Sequence, residues 1–304
     1  LVVVVSAMGK TTNGLENLWT SYLRKDVNGI ELALEKLYQF HTDLIIDLGA
    51  NSNKCKEVFS KSFQKLKLHL SKEPSEHTAY EYDQIVSYGE LWSTLIFAEY
   101  LAINNISSHW QDARKIIRTT NHYQNARVDW LKTKELVNER IVKRFSENSS
   151  LSCIVTQGFI GHTNTGMTTT LGREGSDFSA AILAWALDAA EVFIWKDVPG
   201  LLNADPKEFD NPIKIDKISY KEAIELSYFG ASVIHPKTLK PLQNKNIPLR
   251  IKSFIEPESS GTIIQSDESF DDNHPSYIYN SNQLLISISP KDFSFIMEDH
   301  ISEI

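Results

Sequence analysis

Residues 166–177, with the sequence GMTTTLGREGSD, combine glycines and threonines with Arg173, Ser176 and Asp177. An alanine-rich segment with helical spacing follows at once. Ser176 and Asp177 suit the N-cap or the first turn of that helix, which alone could justify them. Capping does not explain the threonines or Arg173, whose planar guanidinium fits a carboxylate or a phosphate. The stretch therefore favours an anion site at a helix start over a purely structural turn.

Two further loops carry polar residues directly after apolar runs. SAMGKTT, at 6–12, is not a phosphate-binding P-loop, because such a loop needs glycine five residues before Gly9 and Val4 stands there. It is either a turn into a helix or a loop whose N–H groups and hydroxyls meet a polar ligand. In WKDVPGLLNADP, at 195–206, Asp197 is either a turn-former or a residue that faces a nucleotide or its metal. The sequence leaves both pairs of alternatives open.

The elements that position these loops follow from the hydrophobic pattern. LVVVVS (1–6), CIVTQ (153–157) and EVFIW (191–195) are typical of strands buried on both faces of a parallel sheet. Strand, glycine-rich loop, helix and strand in succession indicate a βαβ unit, and the alternation continues to about residue 265. We predict a three-layer αβα sandwich around a mainly parallel sheet, with ligands at the carboxyl ends of the strands. The pattern predicts helices near 14–26, 30–70 with a break at 49–53, 83–104 and 177–190, and a polar connector at 71–82.

Composition excludes several classes of function. The 304 residues carry a formal net charge of −8, which argues against a nucleic-acid or anionic-membrane surface. Two cysteines are too few for a disulfide framework, and no apolar run approaches a membrane span, so we expect a cytoplasmic protein. No GxGxxG, CxxC or HExxH motif and no protein-kinase motif pair is present, so we predict no Rossmann, zinc or protein-kinase site.

The end of the chain changes character. An acidic, polar stretch at 268–282 is typical of a linker. Residues 283–304 predict one strand and one helix, which cannot bury their own apolar sides. We therefore expect them to begin a second domain that the sequence does not complete.

Seven segments, in order, resemble the aspartate kinases of the amino-acid kinase family. They run from residue 1 to about 265, and the spacing of GFIG and TTTLGRxGSD is specific to that group. The resemblance implies an amino-acid kinase catalytic domain at 1–267, a linker at 268–282 and the start of an ACT regulatory region at 283–304. The segments are VSAMGKTTNGL, SYGELWST, QDARKIIRT, TQGFIG, GMTTTLGREGSD, WKDVPGLLNADP and FGASVIHPKTL.

The resemblance implies phosphoryl transfer from MgATP to the side-chain carboxylate of L-aspartate, the first step towards lysine, threonine and methionine. It places Asp177 as the catalytic residue between substrate and phosphates, Glu90 on the α-amino group of aspartate and Arg173 on its α-carboxylate. It implies ATP and Mg²⁺ as cofactors without a protein metal site, a homodimer or higher homo-oligomer, and a feedback amino acid that acts through the ACT region. The other substrate residues are Ser6, Thr12, Phe159 and Ser176, and the nucleotide residues are Thr168, Thr169, Thr170, Gly172, Lys196, Asp197, Leu202, Lys207 and Ser232.

The sequence also departs from the family pattern. Lys196, Leu202, Lys207 and Ser232 stand where threonine, tyrosine, arginine and lysine are frequent, and all four belong to the nucleotide set. The family's KFGGTS segment, whose lysine meets the phosphates, is expected upstream of Leu1, and without it we predict little activity. The alternatives are a relative with N-acetylglutamate or glutamate as acceptor, against which SYGEL and GFIG argue, and a non-catalytic amino-acid-sensing subunit.

Overall fold

The structure is a computed structural model that describes residues 1–50, 52–229, 233–269, 275–279 and 284. Its strands are β1 (Val2–Val5), β2 (Ser108–Gln111), β3 (Cys153–Gln157), β4 (Ile160–His162), β5 (Thr168–Thr170), β6 (Val192–Lys196), β7 (Lys217–Ser219), β8 (Leu249–Ser253) and β9 (Thr262–Gln265). Its helices are α1 (Thr11–Leu23), α2 (Val27–Asp47), α3 (Asn53–Leu70), α4 (Thr78–Val86), α5 (Tyr88–Ile103), α6 (Trp130–Val137), α7 (Lys143–Glu147), α8 (Gly175–Leu187), α9 (Tyr220–Phe229) and α10 (Pro236–Gln243).

The first sheet has the strand order β1-β3-β2 and is parallel throughout. The central strand β3 is fully buried. Its Val155 packs in a cluster with Leu101 of α5, whereas Ile154 packs with Phe178 of α8. Because successive strand residues point to opposite faces, α5 and α8 cover opposite faces of this sheet. The three-layer arrangement is therefore present here.

The second sheet has the order β6-β8-β9-β7, with two parallel pairs and one antiparallel pair. Residues of α8, α9 and α10 join its buried cluster, which includes Ile194 and Ile251. On the opposite face Phe193 and Trp195 are 49% and 39% exposed. The mainly parallel α/β fold is confirmed. The predicted βαβ unit would place β3 and β6 in one sheet. This prediction is wrong, because the two strands lie in different sheets of the described chain.

Strand burial also differs from the prediction. β1 is half-buried along its length, since it pairs with β3 alone among the described strands. In β6 buried and exposed residues alternate. Burial on both faces therefore holds for β3 but was wrong for β1 and β6.

The helical region follows the predicted pattern with one correction. The break near 49–53 is confirmed: α2 ends at Asp47, and the Ser52 side chain caps α3 by accepting from the Cys55 N–H. The connector predicted at 71–82 is too long, because α4 begins at Thr78. The single helix predicted at 83–104 is two helices that meet at Ser87, so Glu90 lies in the first turn of α5. No helix in the described part of the chain is both long and apolar enough to cross a membrane.

Part of the predicted linker is described. The Tyr277 N–H donates to the Asn203 carbonyl (2.6 Å), and Asn203 Nδ2 donates to the Pro275 carbonyl (3.1 Å). Residues 275–279 are therefore fastened to the loop after β6. The second domain predicted at 283–304 lies outside the described residues, except for residue 284.

Candidate active site

A polar cavity of about 640 Å³ lies at the carboxyl ends of three strands. Ser6 follows β1, Phe159 follows β3 and Lys196 ends β6, as the sheet geometry predicts. The structure thus brings the three predicted loops to one place. The predicted residues that line the cavity are Ser6, Thr12, Glu90, Phe159, Gly172, Arg173, Ser176, Asp177 and Lys196.

Glu90 is the most unusual side chain of the cavity. It is only 3% exposed, and its Oε2 atom has no hydrogen-bond partner among the described residues. Burial raises the pKa of this carboxyl to about 8. Its neighbour Gly89 allows α5 to pack closely against the loop after β1, since a Cβ on Gly89 would lie 2.9 Å from the Ala7 Cβ. A buried carboxyl with one oxygen left without a partner is suited to receive a cation.

Arg173 supplies the opposite charge. Its side chain is exposed at the cavity and forms no salt bridge with any carboxylate in the described part of the chain. A free guanidinium offers two parallel donors to a carboxylate. The cavity therefore presents one receptor for a cation and one for an anion.

Phe159 is held in a strained conformation beside them. Its φ of 66° lies in the left-handed region, which is rare for a bulky side chain. Its N–H donates to Ser179 Oγ (2.9 Å), and its carbonyl accepts from the Leu171 N–H (2.8 Å). Gly175 leaves room for the ring, because a Cβ there would lie 2.5 Å from Phe159 Cδ2. These contacts fix the aromatic wall of the cavity.

The first turn of α8 opens onto the cavity. Ser176 and Asp177 are first-turn residues, as predicted, although the helix begins two residues earlier than expected, at Gly175. The preceding Glu174 is left-handed and gives no side-chain cap, so first-turn N–H groups have no partner within the helix. Lys196 Nζ lies 2.8 Å from Asp177 Oδ2. Helix N–H groups and an ammonium together form an anion site.

The three threonines of the predicted nucleotide set do not line this cavity. They form the buried strand β5. Thr169 Oγ1 is hydrogen-bonded to Thr119 Oγ1 (2.6 Å), and the Thr168 carbonyl accepts from Gln84 Nε2 (2.9 Å). These groups are used inside the protein, so the nucleotide role of Thr168, Thr169 and Thr170 stays a prediction that the cavity lining does not support.

The Asp83 carboxylate is the hydrogen-bond partner of Thr170. It accepts from the Thr170 N–H (2.8 Å), from Thr170 Oγ1 (2.7 Å) and from the Gln124 N–H (3.0 Å). Burial nevertheless raises the pKa of Asp83 to about 6. Gln124 lines the cavity, so Asp83 ties this part of its wall to β5. Sequence reasoning missed this residue, because no spacing relates positions 83, 124 and 170.

Other missed residues did leave a signal. Glu16 and Trp19 line the cavity from the same face of α1 as the predicted Thr12, at the helical spacing i+4 and i+7. Tyr82 completes this wall by donating to Glu16 Oε1 (2.8 Å) and by an edge contact with Trp19 at 5.3 Å. Tyr82 was missed because the predicted connector included it.

The remaining nucleotide residues do not line the cavity. The segment after β6 contains Asp197, Leu202 and Lys207, and none of them is in the cavity lining. In this segment Leu202 forms a β-bridge with Lys214, and the Lys207 N–H donates to Asp205 Oδ1. Their nucleotide role stays a prediction. Ser232 lies outside the described residues. Within those residues, no three His, Cys, Asp or Glu side chains are grouped to hold a metal ion.

Fold and cavity together define an α/β protein with a charged cavity at the carboxyl ends of its strands. Comparison with known families gives the specific family. Residues 1–253 match the amino acid kinase family, and the chain belongs to it.

Several proteins similar to this chain are aspartokinases. Lysine-sensitive aspartokinase 3 of Escherichia coli K12 is 43% identical over 182 residues, which is 60% of this chain and 40% of the relative. Aspartokinase 1 of Arabidopsis thaliana, a chloroplastic protein, is 35% identical over 269 residues, 86% of this chain and 46% of the relative. The crystal structure of E. coli aspartokinase III with aspartate and ADP has a TM-score of 0.81 at 34% identity, and the match covers 88% of this chain and 58% of that one. The chain thus spans about half the length of these relatives.

Proposed function

We propose that the protein is an aspartate kinase that transfers the γ-phosphoryl group of MgATP to the side-chain carboxylate of L-aspartate. The observation that carries this proposal is that Glu90 and Arg173 line the same cavity. Asp177 and Lys196 line it as well. The likeness to aspartokinases supports the same activity.

The charges of the cavity match those of the acceptor. The buried Glu90 carboxyl would receive the α-ammonium group, and the free Arg173 guanidinium would receive the α-carboxylate. With both ends held, only the side-chain carboxylate is left to meet the phosphoryl donor. A carboxylate is already ionised at neutral pH and needs no general base, so positioning and charge neutralisation supply the catalysis.

The phosphoryl donor would lie at the start of α8. The first-turn N–H groups, Gly172 and the Lys196 ammonium face the cavity and would neutralise the phosphates. Mg²⁺ would come with the phosphates, and Asp177 is a carboxylate of the cavity that suits this hard cation. Mg²⁺ supplies charge neutralisation when bound. Asp177 and Lys196 would align acceptor and donor.

Glu90 also discriminates between acceptors. N-acetylglutamate carries no ammonium group and would leave the buried carboxyl without a partner. Glutamate keeps the ammonium but is one methylene longer. The cavity therefore favours an amino acid with a free amine and a short acidic side chain.

The test is an acceptor assay on the full-length protein. MgATP is supplied with L-aspartate, L-glutamate or N-acetyl-L-glutamate in separate reactions, and the acyl phosphate is trapped as a hydroxamate. We expect hydroxamate with L-aspartate, and none above background with N-acetyl-L-glutamate. Absence of product with L-aspartate, or a preference for another acceptor, would refute the proposal. ATP binding without any product would point to the amino-acid-sensing subunit instead.

We further propose that residues 283–304 begin a regulatory region through which a feedback amino acid acts, as the lysine sensitivity in the E. coli relative's name suggests. The same proposal divides the chain into a catalytic domain that ends at residue 267 and a linker that ends at residue 282. It also includes assembly into homo-oligomers and a cytoplasmic location. Equilibrium sedimentation of the full-length protein with and without L-lysine tests the assembly and its response.

A further inference from the structure

A second cavity lies between α1 and α2, and its lining residues differ from those of the first one. It has a volume of about 580 Å³, which is within the range of small-molecule sites. Ala33, Leu37 and Phe40 give it an apolar wall, and Leu32 borders it with 53% of its surface exposed. Gly14 helps to keep it open, because a Cβ there would lie 3.1 Å from Leu37 Cδ2. Nothing in the proposed reaction uses this cleft.

Three polar side chains that line the cleft have unused hydrogen-bonding capacity or charge. Thr11 lines it and is only 3% exposed, and its Oγ1 atom has no hydrogen-bond partner among the described residues. Lys10 and Lys36 also line the cleft, and neither forms a salt bridge with a described carboxylate. A buried hydroxyl without a partner can form a hydrogen bond with a ligand atom in the cleft. Two ammonium groups without a salt bridge in the same lining favour a negative charge.

We propose that this cleft binds a small organic carboxylate with an apolar body. The carboxylate would lie between Lys10 and Lys36 and accept from Thr11 Oγ1, and the apolar body would cover Leu37 and Phe40. The apolar wall excludes a purely polar anion such as free phosphate as the best ligand, because it would leave that wall exposed to water.

The cleft is connected to the active-site cavity through one segment of chain. Ser6 and Thr12 line the active-site cavity, whereas Lys10 and Thr11 line the cleft. Thr11 also packs towards the start of α5, since a Cβ on Gly89 would lie 3.3 Å from Thr11 Cγ2. A ligand that holds the first turn of α1 will therefore change the affinity of the active-site cavity. Only this coupling rests on the proposed function, whereas binding to the cleft does not.

The experiment measures binding of 3-phenylpropanoate and of the uncharged 3-phenylpropan-1-ol to the full-length protein by ligand-observed NMR. Lys36→Glu reverses one rim charge, and Ala33→Trp fills the apolar part. Lys72→Glu is the matched control, because Lys72 is exposed and does not line the cleft. We expect the carboxylate to bind more tightly than the alcohol, with Kd about tenfold weaker or worse in Lys36→Glu and unchanged in Lys72→Glu. Ala33→Trp should abolish binding.

The proposal would be overturned if the wild type did not bind the carboxylate detectably, or if it bound the alcohol more tightly. Equal carboxylate affinity in Lys36→Glu and wild type would also overturn it. So would full binding to an Ala33→Trp protein that circular dichroism shows to be folded. The coupling is tested separately: 3-phenylpropanoate should change the KM for L-aspartate in the wild type and in Lys72→Glu but not in Lys36→Glu. Binding without a change in KM would refute the coupling and leave the site.

Discussion

Lys196 Nζ and Asp177 Oδ2 are 2.8 Å apart, and this ion pair joins the end of β6 to the first turn of α8. The two side chains are 22% and 17% exposed, so solvent screens them only in part. The pair brings a cation and an anion to the point where acceptor and phosphates would meet.

We predict that Asp177→Asn lowers kcat about 100-fold or more, since it removes a charge that organises the transferring group but keeps the shape of the side chain. The KM for L-aspartate should change only a few-fold. Steady-state kinetics measures both values, with Asp47→Asn at the exposed end of α2 as the control. A variant with normal kcat would exclude a catalytic role for Asp177.

Glu90→Gln should weaken acceptor binding and leave ATP binding intact. A charge-assisted hydrogen bond contributes about 1.5–3 kcal/mol, which corresponds to an increase in the KM for L-aspartate of roughly 10- to 150-fold. Glu99→Gln on the same helix is the matched control, because Glu99 does not line the cavity. If both variants behave alike, Glu90 is not the ammonium receptor.

The pH dependence of acceptor binding follows from the raised pKa of Glu90, about 8 in the empty cavity. Below that pH the free carboxyl carries its proton, and the arriving ammonium group favours the ionised form. Binding of L-aspartate should therefore release up to one proton below pH 8, and its affinity should rise as pH increases towards 8. Calorimetry in two buffers with different ionisation enthalpies measures the release, which should vanish in Glu90→Gln. Proton uptake on binding would contradict the assignment.

Arg173→Ala should destroy the use of L-aspartate and spare the nucleotide. We expect kcat/KM for L-aspartate to fall roughly 10- to 150-fold, and the Kd of ADP to stay within about twofold, because the guanidinium binds the acceptor. Arg173→Lys should recover part of the loss, since it restores charge without the planar fork. A collapse of nucleotide affinity in Arg173→Ala would assign this residue to the phosphates.

Asp83 predicts a pH dependence of stability. Its folded-state pKa of about 6 lies above the ordinary 3.8, so its contribution is fully present below pH 3.8 and is lost as pH rises to 6. The loss amounts to about 3 kcal/mol in the free energy of unfolding. Urea unfolding of the wild type and Asp83→Asn at pH 3 to 8 measures it, and the difference between the two proteins should move by about that amount in favour of Asp83→Asn. A difference independent of pH would show that Asp83 titrates normally.

Much of the fold could be predicted because the pattern of apolar residues is strong. The strand CIVTQ and the break between α2 and α3 are examples. The pairing of β6 with β8 could not be predicted, since it depends on which strands meet across more than fifty residues. The predicted residues that meet in the cavity were found through the family resemblance together with the rule that parallel sheets bind ligands at their carboxyl ends.

The site itself was only partly predictable. Thr168, Thr169 and Thr170 resemble phosphate ligands in sequence, because a run of hydroxyls beside glycine looks the same whether it faces a ligand or the interior. Their partners, Asp83 and Thr119 among them, lie 50 to 87 residues away along the chain. No local signal distinguishes the two cases.

The left-handed backbone of Phe159 has a consequence for evolution and engineering of this protein. Replacement by glycine or asparagine would relieve a conformational cost of about 1–3 kcal/mol, but it would remove the aromatic wall of the cavity. The same ring packs against two buried clusters, one that includes Leu15 and one that includes Ile160, and a smaller side chain would lose this packing. The packing of the ring therefore offsets the backbone cost, and position 159 holds an aromatic residue in a conformation that glycine would adopt more easily.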